Sequence, residues 1–382
     1  MLLLLAWFAC APTDQDQGST DVTDVTDVAT DASDPSDEAT DLPDLGPCEG
    51  ADCLYRPAES YDVDEPTVVE TITYTDLLGE PRAVPIAVYR PRGAAEPAPI
   101  VLLSHGGASG KDNPLNSMEH WAPVIARAGY VAVAIAHLGR SEESYDAACA
   151  EIGVQTNIEC AIKVGWDRPN DTAAVLDWLE SMEETQPGKL DLDRIYLIGH
   201  SAGAGNALMI AGAKRNYRCA QPLGHIDPDQ ACDPADLVSK ADARVKAVVA
   251  MSPQGPDNEG FMETSFDTVD RPVLVGTGVA DGEYDIGEPA NRREVITHLP
   301  AGEKYELFLD DRGAVHTLFE GSTSECENFA DAARCADMER WVQTTALAFL
   351  DAQAWSRPEA MAWLVSDRLV TAAAGDATWS RK

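Results

Sequence analysis

The feature that most constrains the fold is a series of short apolar segments, alternating with helix-like segments, that begins near residue 66. The apolar segments end in glycine or other turn residues, which indicates buried strands rather than buried helices. Buried strands that alternate with helices predict an α/β protein with a mostly parallel sheet and helices on both faces. The expected parallel strands cover residues 100–107, 130–137, 194–200, 245–253, 272–278 and 305–311, and two antiparallel edge strands cover 68–74 and 83–90.

Ser201 stands at the end of one of these strands, inside the sequence GHSAG, and a helix pattern follows it. In sheets of this kind, ligands bind at the carboxyl ends of the strands. A sharp strand-to-helix turn exposes a serine there, needs small neighbours such as Gly199 and Gly203, and places the hydroxyl at the positive end of a helix dipole. The sequence therefore predicts that Ser201 is a nucleophile. The alternative is a crowded turn that accepts only a small residue.

A serine hydroxyl becomes a good nucleophile only when a base removes its proton, and His316 is the predicted base. It follows the last predicted parallel strand, in the segment DDRGAVHTLFEG, where a loop can carry it over the serine. His137 ends an earlier strand and is expected to line the pocket. The remaining histidines are assigned to local turns, packing or the surface: His105, His120, His200, His225 and His298.

The base in turn needs an acid that orients it, and this acid is expected at a strand end between Ser201 and His316. Asp281 lies three residues after Gly278, where the strand at 272–278 ends. It is the predicted acid, with turn capping as its structural alternative. Asp257 and Asp285 are the rival candidates.

The glycine-rich sequence SHGGASG follows the strand beside which the Ser201 turn is expected to lie. Its glycines let backbone N–H groups face inward without obstruction by side chains. The N–H groups of Gly107 and Ala202 are the predicted oxyanion hole, which binds the carbonyl oxygen as it gains charge. This chemistry requires neither a metal ion nor an organic cofactor, and none is expected.

The segments SHGG, GYVAVAIAH, RPNDTAAVLDWL, GHSAG, PVLVGTGVAD and GAVH together resemble the α/β-hydrolase superfamily over about residues 66–355. Within it they resemble bacterial predicted dienelactone hydrolases and platelet-activating-factor acetylhydrolase-like esterases. The resemblance implies a triad of Ser201, Asp281 and His316, an oxyanion donor at Gly107 and hydrolysis of an ester. True dienelactone hydrolases use a cysteine nucleophile, so the resemblance does not imply dienelactone as the substrate.

The expected partner is therefore a small-molecule or lipid ester. A triad alone does not distinguish an esterase from a peptidase or amidase, because leaving-group preference depends on the shape of the pocket. Polyester hydrolases of the cutinase type share the same turn pattern. A non-catalytic surface binding module with the same fold is the alternative outside enzymes.

The N-terminus is organised differently from the rest of the chain. Residues 1–10 are apolar from Leu2 to Ala9 and end in Cys10, which resembles a bacterial lipoprotein signal and implies a membrane tether through a lipidated Cys10. An ordinary cleaved signal is the alternative, and both predict an exported protein, whether at the outer membrane, on the cell surface, in the periplasm or outside the cell. Residues 11–47 are rich in Asp, Thr and Val and are expected to form a disordered acidic linker. A calcium-binding repeat is disfavoured there because its characteristic glycines are absent.

The formal net charge of −37 argues against nucleic acid as a partner, since phosphate would be repelled. The hydrolase domain is expected to cover residues 48–382, with one extra helix after residue 356. Apart from Cys10, the cysteines fall into neighbouring couples, which predicts disulfides in an oxidising compartment. The couples are Cys48 with Cys53, Cys149 with Cys160, Cys219 with Cys232, and Cys326 with Cys335.

Overall fold

The computed structural model describes residues 42–76, 79–107, 111–139, 167–216, 233–282 and 288–382. The predicted signal sequence with Cys10 and most of the acidic linker lie outside these residues. The same is true of the rival acid Asp285, of His225 and of four cysteines assigned to disulfides: Cys149, Cys160, Cys219 and Cys232.

The described residues contain one large sheet of nine strands, in the order β1-β4-β6-β5-β7-β10-β11-β12-β13, and two small two-stranded sheets, β2-β3 and β8-β9. The strands are β1 (Thr67–Val69), β2 (Thr73–Thr75), β3 (Pro81–Ala83), β4 (Ile86–Tyr89), β5 (Ala98–Ser104), β6 (Val131–Ile135), β7 (Leu190–His200), β8 (Lys214–Arg215), β9 (Val238–Ser239), β10 (Val245–Met251), β11 (Val273–Gly278), β12 (Lys304–Leu309) and β13 (Ala377–Arg381).

Within the large sheet, the neighbouring strands β6, β5, β7, β10, β11 and β12 run parallel, whereas β1, β4 and β13 pair in the antiparallel direction. Every residue of β5 and β12 is buried, as expected for strands that are covered on both faces. The predicted mostly parallel sheet is thereby confirmed.

Helices cover both faces of the sheet and separate its core into two clusters. They are α1 (Ala122–Arg127), α2 (Asp167–Thr185), α3 (Ala202–Ala211), α4 (Pro289–His298), α5 (Ala332–Trp355), α6 (Pro358–Leu364) and α7 (Arg368–Ala372). One cluster includes Trp121, which directly precedes α1, and Phe349 of α5, and the other includes Leu179 of α2 and Leu208 of α3. The described part of α2 begins at Asp167, so Asp171 lies inside this helix.

The register of the parallel strands brings the loops of interest together at one edge. Ser104, the last residue of β5, pairs with Gly199 in β7, so the SHGGASG segment begins beside the Ser201 turn. On the other side, Met251 at the end of β10 pairs with His200. The Asp281 and His316 loops are joined by a parallel bridge between Ala280 and Val315.

The chain after residue 356 is not the single helix that the sequence predicts. It forms the short helices α6 and α7 and then β13, which pairs with the outer edge of β12. Trp379 of β13 stacks on Tyr305 of β12 with ring centroids 5.4 Å apart. This contact and the backbone ladder explain why the last segment is extended.

The same C-terminal segment also holds the beginning of the described chain. Arg368 of α7 donates hydrogen bonds to the carbonyl oxygens of Leu45 and Gly46, and Trp363 Nε1 of α6 donates to that of Cys53 at 2.8 Å. Cys48 and Cys53 are joined by a disulfide within this N-terminal segment. Residues 42–53 are thus fixed to the surface of the domain.

A second disulfide joins Cys326 and Cys335. Among the helices that the structure describes, none combines the length and apolar character needed to cross a membrane.

Candidate active site

Ser201 lies in a sharp turn between β7 and α3, as the sequence predicts. Its backbone has φ 52° and ψ −118°, in a region that residues with a side chain rarely adopt. The turn is nevertheless fixed, because the Ser201 N–H donates to the carbonyl of Met251 at 2.9 Å. A conformation of this kind costs about 1–3 kcal/mol and persists where the surroundings enforce it, often at functional sites.

The two glycines that flank Ser201 are required by close backbone contacts. A Cβ atom on Gly199 would lie 1.9 Å from the Gly203 carbonyl oxygen, and one on Gly203 would lie 1.9 Å from the Ser104 carbonyl oxygen. Any larger residue would push α3 away from β7 or from β5. The glycine pattern therefore reflects tight packing of the turn, which keeps the Ser201 side chain at the end of the sheet.

His316 and Asp281 are in direct contact. His316 Nδ1 lies 2.7 Å from Asp281 Oδ1, and both residues are buried. Asp281 follows β11, and His316 opens a 3-10 helix (His316–Glu320) in the loop after β12. The rival Asp257 is exposed, outside this pair.

The Asp281 carboxylate is surrounded by donors. Its Oδ2 accepts hydrogen bonds from Ser252 Oγ and Thr277 Oγ1, both at 2.7 Å, and Arg292 Nε lies 3.2 Å from Oδ1. Burial alone raises the pKa of Asp281, but the Arg292 cation and the hydrogen bonds from His316 and Ser252 outweigh it and lower the pKa below its ordinary value. The carboxylate is therefore ionised and held in one orientation.

The His316 loop packs against the residue that precedes Ser201. The rings of His200 and His316 are 4.5 Å apart between centroids, and His200 Nε2 donates to the His316 carbonyl oxygen at 3.0 Å. Burial lowers the pKa of His200 to about 3, so this imidazole is neutral. His200 thus acts as a spacer that fixes the His316 loop beside the serine turn.

The predicted oxyanion turn lies against Ser201. A Cβ atom built on Gly106 would lie only 3.1 Å from Ser201 Cβ and 2.8 Å from His200 Nδ1. Gly107 has φ +82°, and Ala202 is the first residue of α3, where backbone N–H groups have no partner within the helix. The structure therefore brings all the predicted site residues to the same edge of the sheet.

Sequence reasoning missed a buried network behind this turn. Ser104 Oγ lies 2.8 Å from His137 Nε2, and His137 Nδ1 lies 3.0 Å from Asp171 Oδ2. Ser104 and Asp171 are fully buried and His137 is 2% exposed. These three groups are linked in the Ser-His-Asp order of a catalytic triad, but their burial gives them a structural role. Arg82 donates to both oxygens of Asp171. The network joins β5, β6 and α2, and it places His137 behind the turn rather than on an open pocket wall.

Neither a protein-family model nor a curated protein matches the sequence. In fold, the chain is similar to a ferulic acid esterase from Streptomyces cinnamoneus, with a TM-score of 0.51 and 14% identity over 86% of this chain and 99% of that chain.

The chain has the α/β-hydrolase fold. The fold class predicted from the sequence is therefore confirmed. Another α/β-hydrolase structure, a dienelactone hydrolase from Anabaena variabilis, shares 20% identity over 73% of this chain and 96% of that chain, with a TM-score of 0.41.

Proposed function

We propose that this protein is a serine hydrolase that cleaves carboxylic esters through an acyl-enzyme. Ser201 is the nucleophile, His316 is the general base and acid, and Asp281 orients His316. The observation that carries the proposal is the buried contact of 2.7 Å between His316 Nδ1 and Asp281 Oδ1 at the edge where the strained Ser201 turn lies. An imidazole that donates Nδ1–H to a carboxylate keeps Nε2 unprotonated and able to accept a proton.

In the first half-reaction, Ser201 Oγ attacks the ester carbonyl carbon while His316 Nε2 removes the hydroxyl proton. The carbonyl oxygen becomes negatively charged and accepts hydrogen bonds from the N–H groups of Gly107 and Ala202. When the tetrahedral intermediate collapses, the C–O bond to the alcohol breaks and His316 protonates the departing oxygen. Water then attacks the acyl-enzyme with His316 again as base, and the carboxylic acid and free Ser201 are released.

The test is hydrolysis of p-nitrophenyl esters from acetate to palmitate, together with methyl ferulate and a p-nitroanilide, by the purified protein and its Ser201→Ala variant. Methyl ferulate is included because a ferulic acid esterase shares the fold. We expect ester cleavage that is lost in the variant, and labelling of Ser201 by a fluorophosphonate. If the folded protein cleaves no ester and Ser201 is not labelled, the proposal is wrong. Preferential cleavage of the anilide would instead favour an amidase.

We further propose that the protein is exported and tethered through Cys10. The two disulfides among the described cysteines support an oxidising compartment. Mass spectrometry of the protein from its native membrane fraction tests this, since lipidation adds acyl chains to Cys10. A cytoplasmic protein with Met1 retained would contradict it.

A further inference from the structure

The three consecutive carbonyl groups of the oxyanion turn are all held by side-chain donors. The His105 carbonyl oxygen accepts from Arg168 Nη1 and the Gly107 carbonyl oxygen from Arg168 Nη2, both at 2.5 Å. The Gly106 carbonyl oxygen lies 2.6 Å from His105 Nδ1. Arg168 and His105 are 6% and 0% exposed, so water does not compete for these contacts.

The middle contact sets the direction of the predicted oxyanion donor. In a trans peptide, the C=O of one residue and the N–H of the next lie in one plane and point in opposite directions. The Gly106 carbonyl and the Gly107 N–H belong to the same peptide plane. A donor that holds the Gly106 carbonyl on one side therefore directs the Gly107 N–H to the other side.

The tautomer of His105 is set by its second nitrogen. His105 Nε2 accepts the backbone N–H of His137 at 3.2 Å, so Nε2 carries no proton and Nδ1 is the donor to the Gly106 carbonyl. Burial, with the nearby Arg168 cation, lowers the pKa of His105 well below its usual range and keeps the ring neutral. Protonation of His105 Nε2 would place its N–H against the backbone N–H of His137.

Arg168 fixes the carbonyl groups before and after that of Gly106. Its guanidinium spans the His105 and Gly107 carbonyls with two nitrogens of one rigid plane, which a lysine ammonium cannot do. Arg168 is the second residue of the described part of α2, inside the RPND sequence, so this helix connects the oxyanion turn to the buried network through Asp171. The two side chains together leave the turn little freedom to rotate.

We propose that His105 and Arg168 are positioning residues that aim the Gly107 N–H at the developing oxyanion. This inference rests on the proposed ester hydrolysis. In this inference neither side chain contacts the substrate, but both are needed to stabilise the transition state. Their loss is expected to reduce kcat and to leave KM nearly unchanged.

The decisive experiment compares His105→Asn with His105→Gln. The Asn amide nitrogen takes the position of Nδ1 and keeps the donor to the Gly106 carbonyl, whereas Gln reaches the position of Nε2 and loses that donor. We expect His105→Gln and Arg168→Met to lower kcat on the order of 100-fold, which is the typical effect of losing one oxyanion donor. His105→Asn should retain kcat within a few-fold of the unaltered protein.

A trifluoromethyl ketone gives a second readout, because Ser201 adds to it and the resulting oxyanion occupies the same hole. The affinity for the ketone should fall by the same factor as kcat in the impaired variants. Arg82→Met is the matched control, since Arg82 is a buried arginine that binds Asp171 and the Leu138 carbonyl but not the turn. It should lose stability without the parallel loss of ketone affinity.

Equal activity of the Asn and Gln variants, or a loss of kcat with unchanged ketone affinity, would overturn the inference. If the variants do not fold, a structure of the ketone complex of the unaltered protein tests the inference. In that structure the Gly107 N–H must lie within hydrogen-bond distance of the hemiketal oxygen. If the unaltered protein neither cleaves esters nor binds the ketone, the proposed function itself has failed.

Discussion

Arg292 Nε lies 3.2 Å from Asp281 Oδ1, the same oxygen that contacts His316 Nδ1. The guanidinium also donates to the backbone carbonyls of Asp281 and Ser252, so it is fixed between the loops after β10 and β11. A buried cation beside the predicted catalytic acid stabilises the ionised form of that acid. Arg292 thus has an electrostatic effect on the site in addition to its contribution to packing.

We predict that Arg292→Met makes ester hydrolysis more sensitive to acid. The Arg292 cation lowers the pKa of Asp281, so its removal raises that pKa and the loss of kcat/KM should begin at higher pH. A carboxylate with a lowered folded-state pKa contributes stability above its unfolded pKa and loses it as the pH falls through the folded value. The variant lacks this contribution, so it should be less stable near neutral pH and its stability should fall less on acidification. Urea unfolding and ester hydrolysis between about pH 2 and pH 8 measure both effects.

Arg293→Met is the control for this experiment. Arg293 lies on the same helix but pairs with Glu306, at 3.0 Å, instead of Asp281. The kcat/KM of this variant should fall at the same acidic pH as that of the unaltered protein. Identical shifts in both variants would mean that general loss of positive charge, rather than the Asp281 contact, is responsible.

The backbone of Ser201 predicts a difference between two inactive variants. Glycine adopts φ 52° without a Cβ clash, whereas alanine keeps the strain. Ser201→Gly should therefore be more stable than Ser201→Ala by about 1 kcal/mol, after allowance for the greater flexibility of unfolded glycine. Urea denaturation of both proteins measures the difference. An alanine variant as stable as the glycine variant would show that the turn is not strained.

The disulfide between Cys326 and Cys335 is predicted to support catalysis as well as stability. A Cβ on Gly313 would lie 2.7 Å from Cys326 Sγ, so the disulfide packs directly against the segment that leads to His316. Removing either described disulfide by paired Cys→Ala changes should cost about 2–3 kcal/mol. Only removal of the Cys326–Cys335 pair should also lower kcat/KM, on the order of tenfold. Equal activity of the two double variants would disprove this link.

Deletion of residues 377–382 is predicted to destabilise the sheet and cause aggregation. The deletion removes β13 and leaves the outer edge of β12 unpaired, and an open strand edge is a site for intermolecular pairing. Thermal unfolding and light scattering should show a lower midpoint and larger particles. Thr378→Ala, which changes an exposed side chain but keeps the backbone ladder, should behave like the unaltered protein. A monomeric deletion variant with an unchanged midpoint would contradict the prediction.

The residues that the sequence located best are those that follow a strand directly. Ser201, Asp281 and His316 each come shortly after a parallel strand, and the carboxyl ends of parallel strands lie along one edge. Their proximity is therefore encoded by strand order alone. Their catalytic roles remain predictions until the variants are measured.

Arg168 and Arg292 could not be located in this way. Each binds backbone carbonyl groups of loops distant in sequence, and neither the spacing nor the type of the residues that provide those carbonyls is distinctive. The strand at Ala377–Arg381 was missed for a related reason. Its conformation depends on the exposed edge of β12 and on stacking against Tyr305 rather than on its own apolar pattern.

The attachment of the N-terminal segment to α6 and α7 has a mechanical consequence. A pull on the chain at Leu42 first meets the contacts of Arg368 with Leu45 and Gly46, then the loop closed by Cys48 and Cys53, and then the hydrogen bond from Trp363. The hydrogen bonds of Arg368 and Trp363 hold the N-terminal segment to the C-terminal segment beside β13. Tension applied at Leu42 is therefore carried at the end of the sheet that lies farthest from β5 and β7, and the Ser201 turn bears none of it directly.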